Sequence, residues 1–162
     1  MRVVLVGELN PYGGDPRLAL WPQPANASGA RLCRVLGLHA TTYVRLRRVN
    51  LCVGSWRLLE ARRAWDQLLL EETENLDDVC FVLLGRRVQR AANARGTPLT
   101  YDVQKPVCKI VYLRLPHPSG RCLAWNNPET ARTVREILRE LVPEVSWGEA
   151  LERPDQEAPS PG

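Results

Sequence analysis

Polar side chains that can act on a substrate lie in three segments far apart in the chain, each at or just beyond the end of a predicted strand. Glu8 and Asn10 lie in the first segment, Asn50 in the second and His117 in the third. Ligands of an open α/β sheet bind in the crevice outside the carboxyl ends of its strands, so these segments can line one pocket. A carboxylate can activate water, an amide can orient it, and an imidazole can stabilise negative charge on a leaving group. We therefore predict one catalytic pocket at this edge of a sheet.

The elements that position these residues alternate between strands and helices. Residues 2–7 form an apolar, β-branched run that ends in glycine, which is typical of a strand buried on both faces. The alternation predicts an α/β domain with a parallel sheet between helices. The loop over 8–27 is long enough to indicate a functional role, and residues 94–105 are predicted to be irregular. The predicted strands are 2–7, 48–52, 79–84 and 107–113, and the predicted helices are 29–36, 56–70, 86–93 and 128–141.

Length and charge set the broad class of the protein. The 162 residues predict one domain over 1–148, followed by a proline-rich, polar tail over 149–162 that we expect to be disordered. Lys and Arg number 22 against 18 Asp and Glu, and only two of the basic residues are lysine. Arginine binds phosphate bidentately and stacks on bases, which favours a nucleic-acid partner. GC-rich codon usage explains the excess of arginine equally well, and the charge alone favours a solvated surface.

The cysteines and the short apolar runs indicate the compartment. The five cysteines include no closely spaced pair, so we expect reduced thiols, no metal site and a cytoplasmic location. The apolar runs are far too short to enter a bilayer, so we expect no membrane partner. We expect the protein to act as a monomer.

Four motifs, taken in their order along the chain, resemble those of the uracil-DNA glycosylase superfamily. The Asn-Pro of the first motif is similar to the mismatch-specific and single-strand-selective branches, and its Pro-Tyr is similar to the classical uracil branch. The resemblance implies a three-layer αβα sandwich with a central four-stranded parallel sheet. It also implies a monofunctional DNA glycosylase that excises uracil, or a related deaminated or C5-modified base, and leaves an abasic site. The motifs are Leu-Asn-Pro-Tyr at 9–12, Trp-Pro-Gln-Pro-Ala-Asn at 21–26, the apolar run with its glycine at 79–85, and His-Pro-Ser-Gly at 117–120.

One departure from the family pattern affects the catalytic residue. The turn between Gly7 and Pro11 has one residue more than in the classical and mismatch branches, so two alignments are open. In one, Asn10 positions the water that attacks the sugar; in the other, the Glu8 carboxylate activates that water, as a glutamate does in the iron–sulfur branches. The four cysteines with a close pair that those branches need are missing, so we expect no cofactor.

The resemblance also assigns the other site residues. His117 is expected to donate a hydrogen bond to the leaving base as negative charge grows on it. Asn50 is expected to read the base edge, Trp21 to stack on the flipped base, and Tyr12 to crowd the C5 position. Each also has an ordinary structural explanation, as a turn, packing or strand-end residue.

The loop after His117 is expected to contact DNA that contains a damaged or modified base. Ser119 and the Gly120 backbone can hold phosphate, and Arg121 stands where the family places a wedge that fills the gap left by the flipped base. Two other functions remain open: a catalytically quiet nucleic-acid binder, and an enzyme that acts on free or modified nucleosides.

Overall fold

The computed structural model describes residues 1–10 and 13–151 and has an α/β fold built on one mostly parallel sheet. The strands are β1 (Arg2–Asn10), β2 (Arg47–Val53), β3 (Val79–Leu84), β4 (Tyr101–Gln104) and β5 (Ile110–Leu115). The α-helices are α1 (Ser28–Leu36), α2 (Ala40–Tyr43), α3 (Leu58–Thr73), α4 (Arg86–Ala91) and α5 (Pro128–Leu141), and short 3₁₀ turns cover Pro16–Leu18, Leu123–Asn126 and Glu149–Leu151.

The sheet has five strands in the order β2-β1-β3-β5-β4, and not the four that the sequence predicted. The four predicted strands all exist and pair in parallel, whereas β4 pairs antiparallel with β5 at the edge. The prediction that residues 94–105 are irregular was therefore wrong for Tyr101–Gln104, which form β4. Polar contacts hold β4, because the buried Arg114 of β5 bonds to Thr100 and forms an ion pair with Asp102. An edge strand has only one neighbouring strand and needs few apolar residues. The sequence of β4 therefore resembles that of a loop.

Alternate residues of the strands pack against helices on opposite faces of the sheet. Val3 and Leu5 lie in a core cluster with residues of α1 and α5, whereas Val4 and Val6 lie in a second cluster with residues of α3 and α4. The β3 side chains are fully buried, so this central strand contributes to both clusters. Burial on both faces is the reason that these strands are continuous apolar runs without polar alternation.

Three strands have different ends from those predicted, and one of these differences shapes the site. β2 runs over Arg47–Val53 rather than 48–52. β5 runs over Ile110–Leu115 rather than 107–113. β1 does not stop at Gly7 but continues to Asn10, so Glu8 lies in a strand and not in a loop. Pairing of β1 with β3 ends at Val6, whereas pairing with β2 continues to Asn10. The last residues of β1 therefore extend past the end of β3 into an open crevice.

The C-terminal part of the domain packs on α1. Trp147 is buried, and its indole N–H donates to the carbonyl of Val142 at 2.8 Å. The backbone N–H of Ala150 donates to the carbonyl of Gly37, the residue that ends α1 in the left-handed conformation. Of the predicted tail, 149–151 therefore form an ordered turn, and 152–162 lie outside the described residues. No helix within the described ranges is long and apolar enough to cross a membrane.

Candidate active site

A cavity of about 420 Å³ lies at the carboxyl ends of β1 and β2, and we call it the central cavity. Glu8, Trp21, Asn50 and His117 line it, together with the first turn of α1. All three sequence segments that were predicted to converge therefore meet here. A volume of this size lies within the range of about 300–1,000 Å³ that is usual for small-molecule sites.

The absence of a side chain at Gly7 makes room for Asn50. Gly7 pairs with Asn50 in the β1–β2 register. A Cβ atom at Gly7 would lie 2.3 Å from Oδ1 of Asn50 and 3.1 Å from Cδ2 of Leu20. Because no real Cβ contact is that short, Asn50 can hold its amide across the strand only beside glycine. The glycine at the end of the first apolar run thus positions the amide in the cavity.

Glu8 lies between a histidine and an arginine. Its side chain is 17% exposed, with Oε1 at 3.9 Å from Nε2 of His117 and Oε2 at 3.6 Å from Nη1 of Arg87. Neither distance is a close hydrogen bond, so both carboxylate oxygens can also bind a ligand or water. Arg87 was not among the predicted site residues, although it lies in the second position of α4, directly after β3. Glu8 and His117 also border a cavity of about 540 Å³ on the α4 side.

The surroundings of His117 determine which nitrogen carries its proton. The backbone N–H of Ser119 donates to Nδ1 at 3.0 Å, so the neutral ring has its proton on Nε2, toward Glu8. Burial lowers the pKa of His117; the Glu8 carboxylate opposes this shift, and Arg87 adds to it. The indole N–H of Trp125 donates to the His117 carbonyl at 3.0 Å and holds the backbone. The imidazole is therefore a fixed, neutral Nε2–H donor at neutral pH.

Trp21 and Arg48 form a stacked wall beside the cavity. The guanidinium carbon of Arg48 lies 5.2 Å from the Trp21 ring centroid and 5.7 Å from that of Tyr43. The Tyr43 hydroxyl donates to the Leu20 carbonyl at 2.8 Å and fixes the segment that carries Trp21. Burial lowers the pKa of Arg48. The sequence interpretation missed Arg48, because a basic residue at the start of a strand resembles a solvated one.

Close contact between α1 and the tryptophan segment completes the wall. A Cβ atom at Gly29 would lie 2.1 Å from the carbonyl oxygen of Leu20 and 2.3 Å from that of Trp21. Both neighbours are backbone atoms, so only glycine allows the helix to approach this closely. No side chain caps the start of α1 at Ala27, and the first residues of the helix line the cavity.

Asn10 does not line the central cavity. Its side chain is 7% exposed, and Nδ2 donates to the Asp15 carbonyl at 2.8 Å, which ties the end of β1 to the following loop. It borders an adjoining cavity of about 360 Å³, which we call the side cavity, together with Arg48 and Asn50. Asn50 borders both cavities. Tyr12, the other predicted residue of this motif, lies outside the described residues.

The predicted DNA-contacting loop lies at the surface next to His117. Arg31 of α1 donates to the Ser119 carbonyl and to Oδ1 of Asn126, which anchors the loop. Gly120 and Arg121 are exposed, and a Cβ atom at Gly120 would meet no heavy atom within 4 Å. None of the three predicted DNA-contacting residues lines the central cavity. Leu123, which the sequence interpretation did not single out, is 73% exposed on the same loop.

A group of basic residues lies near the Glu8 side of the site. Arg86, Arg90 and Arg95 are exposed and line one surface depression behind α4. Among the residues that the structure describes, they have no acidic partner within ion-pair distance. Arg86 also borders the cavity of about 540 Å³ that Glu8 and His117 share.

A comparison with protein-family models and with curated proteins finds no match for this chain. Within residues 1–10 and 13–151, no three His, Cys, Asp or Glu side chains converge as metal ligands do. The chemistry of the site therefore has to follow from its own geometry.

Proposed function

We propose that this protein is a monofunctional DNA glycosylase that hydrolyses the N-glycosidic bond of uracil or a related deaminated or C5-modified base. The observation that carries the proposal is the meeting of Glu8, Asn50, His117 and Trp21 around one cavity of about 420 Å³. Glycosylases extrude the target base into such a pocket and read its hydrogen-bonding edge there. The four-motif order along the chain and the parallel strands with helices on both faces also support the superfamily's three-layer sandwich, with β4 as an added edge strand.

In this proposal Glu8, and not Asn10, activates the attacking water. A carboxylate can accept a proton from water and offset positive charge on the sugar, whereas an amide can only orient water. Glu8 borders the cavity, and its pairing with Arg87 holds the carboxylate in place. Asn10 keeps the loop after β1 attached through Asp15.

His117 stabilises the leaving base. Its Nε2–H faces the Glu8 side of the cavity, and the Ser119 N–H on Nδ1 prevents the other tautomer. A neutral donor of this kind stabilises an oxyanion as charge develops, with no proton transfer required.

Asn50 and Trp21 bind the extruded base. The Asn50 amide offers one acceptor and two donors to a base edge, and Gly7 allows it to lie across the strand. Stacking on an aromatic ring contributes about 1–3 kcal/mol per base, which offsets part of the cost of extrusion. The assignment of Tyr12 to the C5 position stays a prediction.

DNA reaches the cavity along the surface of the His117 loop. Ser119 and Gly120 are assigned to the phosphate backbone, and Arg121 to the wedge position. Leu123 is a second candidate for the wedge, because apolar side chains are the groups that proteins usually insert between base steps. Arg86, Arg90 and Arg95 extend a basic surface from the site along α4.

A base-release assay with separate Glu8→Gln and Asn10→Ala variants tests the proposal. Oligonucleotides that carry uracil, hypoxanthine, xanthine or hydroxymethyluracil serve as substrates, in single- and double-stranded form. We expect Glu8→Gln to lower the rate by about 10²–10⁴-fold, the usual contribution of a general base, and Asn10→Ala to lower it by less than about tenfold. Glu74→Gln, an exposed glutamate at the end of α3, is the matched control.

Three outcomes are informative. A large loss in Asn10→Ala with activity kept in Glu8→Gln would reverse the assignment of the two residues. No release of any base by the wild-type protein would overturn the glycosylase proposal. If the wild-type protein releases no base but binds DNA in a salt-dependent manner, the better-supported function is that of a catalytically quiet nucleic-acid binder.

A further inference from the structure

Three buried polar atoms near the site have no hydrogen-bond partner. They are Nε1 of Trp21, Nη1 of Arg48 and Nδ2 of Asn50, and in the part of the chain that the structure describes no other buried side-chain nitrogen or oxygen is unpaired. All three are N–H donors. A buried donor without an acceptor is unfavourable and uncommon in native proteins, so a cluster of three indicates a ligand that supplies acceptors.

Arg48 adds a charge that is not neutralised. Its Nε donates to the Ala19 carbonyl at 3.1 Å and its Nη2 donates to the Arg17 carbonyl at 3.3 Å, and both acceptors are uncharged. The stacked rings of Trp21 and Tyr43 offset part of the charge. No carboxylate of the described chain lies within ion-pair distance of Arg48. A half-buried cation whose third nitrogen is unpaired is a site for an anion.

The position of Arg48 relative to Asn50 locates this anion. The two residues are two positions apart in β2, so their side chains point to the same face of the sheet. Both border the side cavity, and Asn50 also borders the central cavity. An anion bound by Arg48 in the side cavity therefore lies directly beside a ligand that Asn50 contacts in the central cavity.

We propose that Arg48 and Asn50 form an oxyanion subsite that recognises an anionic group carried by the ligand of the central cavity. This inference rests on the proposed function for the identity of that ligand as a base or nucleotide. The anion is either a carboxylate on the base or a phosphate of the nucleotide. Both present the planar or forked acceptor oxygens that a guanidinium binds best.

Calorimetric binding to the wild-type protein tests this with two matched pairs of probes. The first pair is uracil and uracil-5-carboxylate, and the second is 2′-deoxyuridine and its 5′-monophosphate. We expect the charged member of at least one pair to bind about tenfold or more tightly than its neutral member, the gain from one charge-assisted hydrogen bond. The pair that shows the gain identifies the source of the anion. Equal or weaker binding of both charged members would overturn the subsite.

Variants of Arg48 connect the gain to this residue. Arg48→Met keeps an unbranched side chain against Trp21 but removes the charge, so we expect the ratio of the charged to the neutral member's affinity to fall to about one. Arg48→Lys retains the charge but not the forked guanidinium, so we expect a smaller affinity ratio between the charged and neutral probes. This variant replaces Arg48→Met in the experiment if the Met variant does not fold. Arg45→Met removes an exposed charge from the same region and keeps the full gain. A full gain in the Met variant would overturn the assignment, as would a full gain in the Lys variant where the Met variant does not fold.

The binding experiment and the base-release assay test the two proposals separately. Base release without any gain for a charged probe overturns the subsite and leaves the glycosylase proposal intact. A gain that depends on Arg48, in a protein that releases no base, supports the subsite and overturns the glycosylase.

Discussion

The Gly7→Ala substitution tests how closely the position of Asn50 controls the site. An added Cβ would lie 2.3 Å from Oδ1 of Asn50 and 3.1 Å from Cδ2 of Leu20. A relaxed carbon–oxygen contact is about 3.3 Å or longer, so the amide has to move by about 1 Å. The nearest obstacle is a side chain and not backbone, so the strand itself stays in place. The main effect should therefore be on function.

The size of both effects follows from this contact. Overpacking of the folded state costs about 1–3 kcal/mol, and replacing glycine lowers the entropy of the unfolded chain, which offsets about 0.4–1 kcal/mol. The free energy of unfolding should therefore fall by no more than about 2.6 kcal/mol. A displaced amide loses one or two hydrogen bonds to the base, each about 0.5–1.5 kcal/mol, which lowers kcat/KM by about 2–160-fold. Urea unfolding and base release from oligonucleotides measure the two effects.

A double-mutant cycle separates this mechanism from a general defect. In an Asn50→Ala background the added methyl group meets no amide, so Gly7→Ala should cost little further stability and no further activity. Gly14→Ala, where a Cβ atom would meet nothing within 4 Å, controls for the effect of the substitution on stability. Wild-type base release by Gly7→Ala, or full destabilisation in the Asn50→Ala background, would refute the reasoning.

Two further predictions concern protonation and charge. Burial lowers the pKa of His117 in the folded protein. In the unfolded chain the imidazole has its ordinary pKa of about 6.5, so as the pH falls the unfolded chain binds a proton before the folded protein does. The free energy of unfolding should therefore decrease as the pH drops below about 6.5. Urea unfolding at about pH 7.5 and about pH 5.5 should show a smaller fall in His117→Gln than in the wild type, and an equal fall contradicts the buried neutral histidine. Joint replacement of Arg86, Arg90 and Arg95 by Ala should make the plot of log affinity for duplex DNA against log salt shallower by about 0.9 for each phosphate that the protein no longer neutralises. Fluorescence anisotropy measures this slope, and an unchanged slope would mean that these three arginines do not contact the DNA.

Much of the fold could be predicted because the core strands are buried on both faces. The run Val79–Leu84 is a strand with the bounds expected, and α1 ends at Leu36 as predicted. The Asn127 side chain caps α5 and accepts from the N–H of Glu129 at 3.0 Å, and the helix has the predicted bounds, 128–141. These features depend on local sequence, so no tertiary information was needed.

The edge of the sheet could not be predicted in the same way. β4 is short, and its Val103 is 41% exposed, so it has no buried face that the sequence could display. Its ion pair joins Asp102 to Arg114, residues from two different strands. Such a long-range contact leaves no periodic pattern in either segment.

The convergence of the site was predictable, but the choice between Glu8 and Asn10 was not. The expected turn after Gly7 left both residues in a loop with undefined directions. The structure continues β1 through both of them, and only Glu8 borders the central cavity. The cause is the early end of the β1–β3 pairing at Val6, which depends on the length of a different strand.

The central cavity is lined by a carboxylate and by N–H donors, the two kinds of group that the proposed reaction requires. Cleavage of an N-glycosidic bond separates charge, because the sugar becomes positive as the departing base becomes negative. The Glu8 carboxylate lines the cavity together with Asn50 and Trp21, whose side-chain N–H donors are unpaired, and the Arg48 guanidinium stacks on Trp21. In the proposed reaction, the carboxylate would stabilise the positive sugar and the N–H donors would stabilise the negative base. Arg87 limits the benefit of Glu8, because at 3.6 Å it neutralises part of the carboxylate charge, while the same ion pair holds the carboxylate at the edge of the cavity.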